Sequence, residues 1–153
     1  MPQFSTKRRV QHSAAEMFDL VADGESYPKF VPLCEALRIK SRTQKGEGIT
    51  VLVADMTVAY KLIRQTFTSR VTLDKPNLKI LVEYVDGPFR RMQNRWAFHP
   101  VGEHACDVEF FIDYEFKSRT LGILMGALFD TVFRRMASAF EQRADAVYGR
   151  KRA

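Results

Sequence analysis

Two cysteines, Cys34 and Cys106, are all the thiol chemistry that 153 residues carry, and their separation suits neither a metal site nor a redox pair. Both are expected to stay reduced and to pack as small hydrophobes. The first ten residues hold no apolar core of the kind a secretory signal needs, and they are not the Arg-rich amphipathic stretch of an organellar presequence. The mature protein is therefore expected to begin near Met1, in a reducing cytoplasm. Long hydrophobic runs are missing too. The longest, residues 121–129, ends at Asp130, well short of the roughly 20 residues that cross a bilayer. Any membrane contact is expected to be peripheral, at the inner face of the cell membrane.

Motifs for catalysis are equally scarce. The three histidines, His12, His99 and His104, have no ligand spacing, so no metal is expected, and sequence order alone assigns no Ser, His and acid set. His99, beside Pro100, reads as a solvated strand end. There is no Walker or dinucleotide glycine loop; Gly46 and Gly48 sit between two strand-like segments, the wrong context for phosphate. Acidic residues are the minority charge, 18 against 24 Lys plus Arg, for a net charge of +6. That excess favours anionic partners, acidic lipid or nucleic acid, without choosing between them. The basic residues fall in small groups, among them Lys7-Arg8-Arg9 and Arg90-Arg91, and a solvated basic surface accounts for them equally well.

What is present is a large apolar fraction, 46%, in a length that fits one domain spanning residues 1–153 and able to bury a substantial core. Gln3–Val10 reads as a strand. Ser13 and Glu16 have capping-box spacing, and Ala14, Met17, Phe18 and Val21 then recur at helical intervals, so a short amphipathic helix runs to about Ala22 and stops at Asp23-Gly24. In residues 27–34, Pro28 suits the first turn of a helix and Pro32 forbids its continuation, leaving one short helical turn. From Cys34 to Phe116 turn signals divide the chain into six strands joined by short links, which makes an antiparallel meander. Residues 150–153 read as a frayed tail.

The last strand is the clearest. Cys106, Val108, Phe110, Ile112, Tyr114 and Phe116 share one face, and Asp107, Glu109, Asp113 and Glu115 the other, with Phe111 intruding. Such alternation means one buried face and one wet face. Its neighbour places Met92, Trp96 and Phe98 inward together with Asn94, a rare polar group on an apolar wall. A helix over residues 120–149 follows, with Leu121, Leu124, Met125, Leu128, Val132, Met136 and Phe140 on the expected core face. Asp130, Arg134, Glu141 and Asp145 form the opposite line, which also carries Ile123. Its first third is apolar on nearly every side, and such a helix needs a concave partner.

The apolar interior then collects Val53, Met56, Val58, Phe67 and Val71 from the middle strands. To these the later strands add Met92, Asn94, Trp96 and Phe98, then Phe110, Ile112 and Tyr114. Leu124, Leu128 and Val132 of the helix and Phe30, Val31 and Leu33 of the proline-bounded connector complete the candidate lining of a ligand cavity. A fully packed core is the alternative. Ile123, with Lys117 and Arg119 just upstream, is the candidate contact with an anionic membrane surface.

The order of strand, two small helices, six strands and a long C-terminal helix resembles the α+β helix-grip fold of START-like domains, a curved antiparallel sheet of about seven strands wrapped around the last helix. Residues 27–34, Trp96-Ala97-Phe98 and residues 106–118 resemble the coenzyme Q-binding branch of that superfamily over essentially the whole chain. Tyr114 stands where Phe is expected in many relatives. Mitochondrial members carry a presequence that this chain lacks, which fits a bacterial source. The resemblance implies a non-enzymatic binder of ubiquinone or a related polyprenyl lipid, held as ligand rather than cofactor, in support of respiratory electron transport; Asn94 or a tyrosine would orient the quinone carbonyls. The same branch contains a toxin that binds the large ribosomal subunit and blocks subunit association, so a ribosome partner is the second expectation. Polyketide aromatase/cyclases share the grip and supply a third, an enzyme. DNA is not an implied partner.

Overall fold

The computed structural model describes residues 3–149, so the tail expected over residues 150–153 lies outside the described residues. Strand β1 (Gln3–Val10) leads into helix α1 (Ala14–Ala22) and a 3-10 turn (Gly24–Lys29). Six strands follow, β2 (Cys34–Gly46), β3 (Ile49–Tyr60), β4 (Ile63–Asp74), β5 (Lys79–Asp86), β6 (Phe89–Pro100) and β7 (Cys106–Phe116). Helix α2 (Arg119–Tyr148) completes the chain. The seven strands form one antiparallel sheet in the order β1-β7-β6-β5-β4-β3-β2. This is the expected architecture.

Local chemistry sets the boundaries. The Ser13 hydroxyl accepts from the Glu16 amide and the Glu16 carboxylate accepts from the Ser13 amide, both at 3.1 Å, closing the capping box that starts α1. Ser118 caps α2 by accepting from the Leu121 amide at 3.1 Å. The turn between β5 and β6 needs Gly87, at φ 143°, because a Cβ there would come within 2.7 Å of the Phe67 Cβ. The helical turn near the prolines begins earlier than expected, at Gly24. Pro28 therefore stands near its end rather than in its first turn.

Burial on β7 alternates without exception, its six even-numbered residues all buried. On the wet face Arg91 reaches both Asp113 and Glu115, Arg9 pairs with Asp107, and the Arg95 guanidinium lies 4.4 Å over the Phe111 ring. That cation–π contact gives the intruding Phe111 its cover.

Helix α2 lies across the inner face of the sheet on a line different from the expected one. Met125, Phe129, Phe133, Phe140 and Ala144 are buried, whereas Leu124 is 60% exposed. Residues 121–129 are apolar all round, so periodicity left the angle of the stripe open; the aromatic rings decide it. Phe129 packs at 5.4 Å on Phe116, and Phe133 at 5.5 Å on Tyr114. The 100° step per residue then turns Leu124 outward. Ile123 is exposed as expected, at 73%. Glu141 and Asp145, expected on a solvated line, instead hold the C-terminal half of α2. Arg8 bonds Glu141 at 2.7 Å, His12 Nε2 meets Asp145 at 2.7 Å, and the Tyr148 hydroxyl donates to the Glu16 carbonyl at 3.0 Å. Among the described residues no helix is long and apolar enough to cross a membrane.

Candidate ligand cavity

Between the sheet and α2 lies a cavity of about 160 Å³. Strand parity builds its wall. In β3 the even-numbered Leu52, Ala54, Met56 and Val58 point inward, and their partners in β4 are Val71, Ser69, Phe67 and Gln65, so the odd-numbered residues of β4 face the same way. β5 contributes Ile80 and Val82, β6 Met92, Asn94 and Trp96, and β7 Phe110 and Ile112. Phe129, Val132, Phe133, Met136 and Phe140 of α2 form the roof, while Tyr27, Val31 and Leu33 close one side. Among the described residues no carboxylate, lysine, arginine or histidine lines it.

Twelve expected lining residues stand on this wall: Val31, Leu33, Met56, Val58, Phe67, Val71 and Met92, then Asn94, Trp96, Phe110, Ile112 and Val132. Six do not. Val53 has the wrong parity and lies on the outer face, paired with Arg70. Phe98 is buried under α1, edge-on to Phe18 at 5.9 Å. Tyr114 is consumed by packing on Phe89, Phe129 and Phe133. Phe30 packs on Phe140 at 5.1 Å beneath the Arg143 guanidinium, outside the cavity. Leu124 is exposed, and Leu128 is a half-buried flank of the helix stripe. The residues that sequence reasoning missed include Ala54, Ser69, Phe129 and Phe133; the signal for Ser69 was its shared parity with Phe67 and Val71.

The polar groups of the wall are few and mostly engaged. Asn94 Oδ1 accepts from the Trp96 indole at 2.9 Å, and Asn94 Nδ2 donates to the Phe111 carbonyl at 2.9 Å, which leaves one amide N–H. The expectation that Asn94 is a free carbonyl-orienting group is thus narrowed to that single donor. The Tyr27 hydroxyl donates to the Val21 carbonyl, and burial raises its pKa. Burial also pushes the Cys34 thiol up to about 11, so neither group is an acid or base at neutral pH. So apolar a wall favours an apolar guest over water, which needs two to four polar partners, and a dry cavity of about 150 Å³ is the size that accepts a benzene ring.

The β3–β4 hairpin, the β5–β6 turn and the start of α2 lie at one end of the sheet, since Tyr60 pairs with Ile63 and Phe89 pairs with Phe116, and from that end Phe89 lines the cavity. That end is unusually apolar on its surface. Leu62 is fully exposed, and Ile123 and Leu124 stand out beside exposed Lys117 and Arg119.

A family model described as polyketide cyclase / dehydrase and lipid transport matches residues 10–141. The ribosome association toxin RatA of Escherichia coli (strain K12) is 38% identical over 148 residues, covering 97% of this chain and 90% of that protein. The mitochondrial coenzyme Q-binding protein COQ10 homolog B of Xenopus laevis is 29% identical over 153 residues, covering 97% of this chain and 60% of that one. Among solved structures, the 18 kDa protein CC1736 from Caulobacter crescentus superposes with a TM-score of 0.79 at 32% identity, covering 97% of this chain and 99% of that chain.

Proposed function

This chain belongs to the polyketide cyclase/dehydrase and lipid transport family, and from that premise we propose that it is a non-enzymatic carrier of a hydrophobic, ring-bearing polyprenyl lipid, ubiquinone or a close relative. The observation that carries the reading is the apolar cavity of about 160 Å³ under α2. A ring fits there, and each CH2 of an attached tail that leaves water contributes about 0.8 kcal/mol. The space is too small for a long tail as well, so the tail must pass out along the helix or lift its start. Among the described residues the wall carries no carboxylate, lysine or histidine, which favours binding over cyclase chemistry, since that needs a positioned acid or base.

Loading and release fit a transient visit to the inner face of an anionic membrane, in support of respiratory electron transport. Ile123 and Leu124 with Lys117 and Arg119 would dip into the headgroups, each basic residue adding about 1 kcal/mol at low salt. The test is an organic extract of purified protein examined by absorbance and mass. Near-stoichiometric quinone supports the proposal. An empty extract, together with no binding of an added short-chain quinone, overturns it.

A second reading, a ribosome-associated protein, is favoured by the 38% identity to RatA over nearly the whole chain. Its test is cosedimentation with ribosomal subunits on a gradient. Salt-sensitive migration with subunits supports it, and migration only at the top of the gradient removes it.

A further inference from the structure

We infer that Ser69 and Asn94 form a pair of hydrogen-bond donors that selects a ligand ring with two opposed carbonyl oxygens. The inference rests on the carrier reading and names what the cavity recognises. Ser69 is 5% exposed, has inward parity on β4 and stands on the cavity wall. Among the described residues its hydroxyl has no hydrogen-bond partner. A hydroxyl buried on an apolar wall is costly unless something answers it. Asn94 is the matching group. Its amide orientation is fixed by the Trp96 indole on one side and the Phe111 carbonyl on the other, and its remaining N–H is a second donor on the same wall.

The register sets their separation. Ser69 pairs with Tyr84 on β5, and Asn94 pairs with Val82, so the two are two strands apart and two residues out of step. On a flat sheet that is about 12 Å between Cα atoms, and curvature toward α2 shortens it at the side chains. A six-membered ring with carbonyls at opposite corners plus a hydrogen bond at each end spans about 11 Å. Both protein groups donate, so the ligand must accept at both ends. A quinone does this, whereas a hydrocarbon or a fatty acyl chain does not.

The experiment compares two probes on the parent protein and on Ser69→Ala: 2-decyl-1,4-benzoquinone, and 1-decyl-2,5-dimethylbenzene, in which methyl groups replace both oxygens. The parent should prefer the quinone. Ser69→Ala should weaken quinone binding about three- to tenfold, the worth of one neutral hydrogen bond, and leave the hydrocarbon unchanged. Infrared spectra of the bound quinone should lose one hydrogen-bonded carbonyl band in the variant. If Ser69→Ala changes both probes alike, or neither, the donor pair is refuted while the carrier reading stands. If neither probe binds the parent, both fall.

Discussion

Ala54 offers the most direct test of whether the space under α2 is empty. It sits at the centre of β3 with its methyl inward, between Ile39 of β2 and Ser69 of β4, 6% exposed and on the cavity wall. At about 24 cal/mol per Å³, a void of about 160 Å³ forfeits at most about 4 kcal/mol relative to a filled core. Ala54→Phe places a ring of the right size in that void. Part of the forfeited energy is recovered and part is lost to imperfect fit, so the variant should lie between no change and about 2 kcal/mol more stable. For a chain of this length that is a rise in Tm of up to several degrees, at about 2 to 4 °C per kcal/mol. The same ring occupies the ligand's place, so short-chain quinone binding should fall by at least tenfold. Urea and thermal unfolding followed by Trp96 fluorescence, beside a quinone titration, measure both. A loss of about 1 to 3 kcal/mol with cooperative unfolding would mean a core already full and would refute the cavity.

Ile123→Glu should reduce binding to anionic vesicles and slow quinone transfer between them while leaving affinity for a soluble short-chain quinone intact; equal transfer rates at low salt would remove the start of α2 as the membrane contact. His12→Ala deletes a buried ring that holds Asp145 and should cost about 2 to 4 kcal/mol in urea unfolding, and a change below about 0.5 kcal/mol would show that the C-terminal half of α2 is held without it. Burial pushes both Cys34 and Cys106 up to about 11. The folded state therefore keeps protons that the unfolded chain releases near pH 9, and stability should decline as pH rises from about 9 to 11. At pH 8 both thiols should resist alkylation until the protein is unfolded, and rapid labelling of the native protein would contradict their placement.

How much of this could be read in advance depends on how one-sided each element is. β7 is wet on one face and buried on the other, so its parity, its neighbour's parity and Asn94's inward position were all legible. β3 is apolar on both faces, with Val51 and Val53 outward and Leu52 and Ala54 inward, and no alternation marks the core side; Val53 was misplaced for that reason. The start of α2 is apolar all round, and only contact with the Tyr114 and Phe116 rings picks Phe129 and Phe133 over Leu124. Ser69 lies in a run of Thr, Ser and Arg that reads as a polar surface, and pairing with Ala54 is what turns it inward. Ion pairs across more than 130 residues, such as Arg8 with Glu141, leave no trace in local sequence.

The position of β1 has a consequence for biosynthesis. Among the described residues its sheet partner is β7, with Gln3 opposite Asp113 and Val10 opposite Cys106, so β1, which leaves the ribosome before the other six strands, is the last of them to find its place. The hairpins from β2 through β6 are local and can zip in order as they emerge, while β1 waits for about a hundred residues of synthesis. Throughout that wait, Phe4 and Val10 are exposed on an unpaired strand, and Lys7, Arg8 and Arg9 are the charges that keep it from pairing with another chain. Lys7, unlike Arg8 and Arg9, makes no ion pair among the described residues, so replacing it with a neutral residue should lower the yield of native protein from translation more than it lowers the stability of protein already folded.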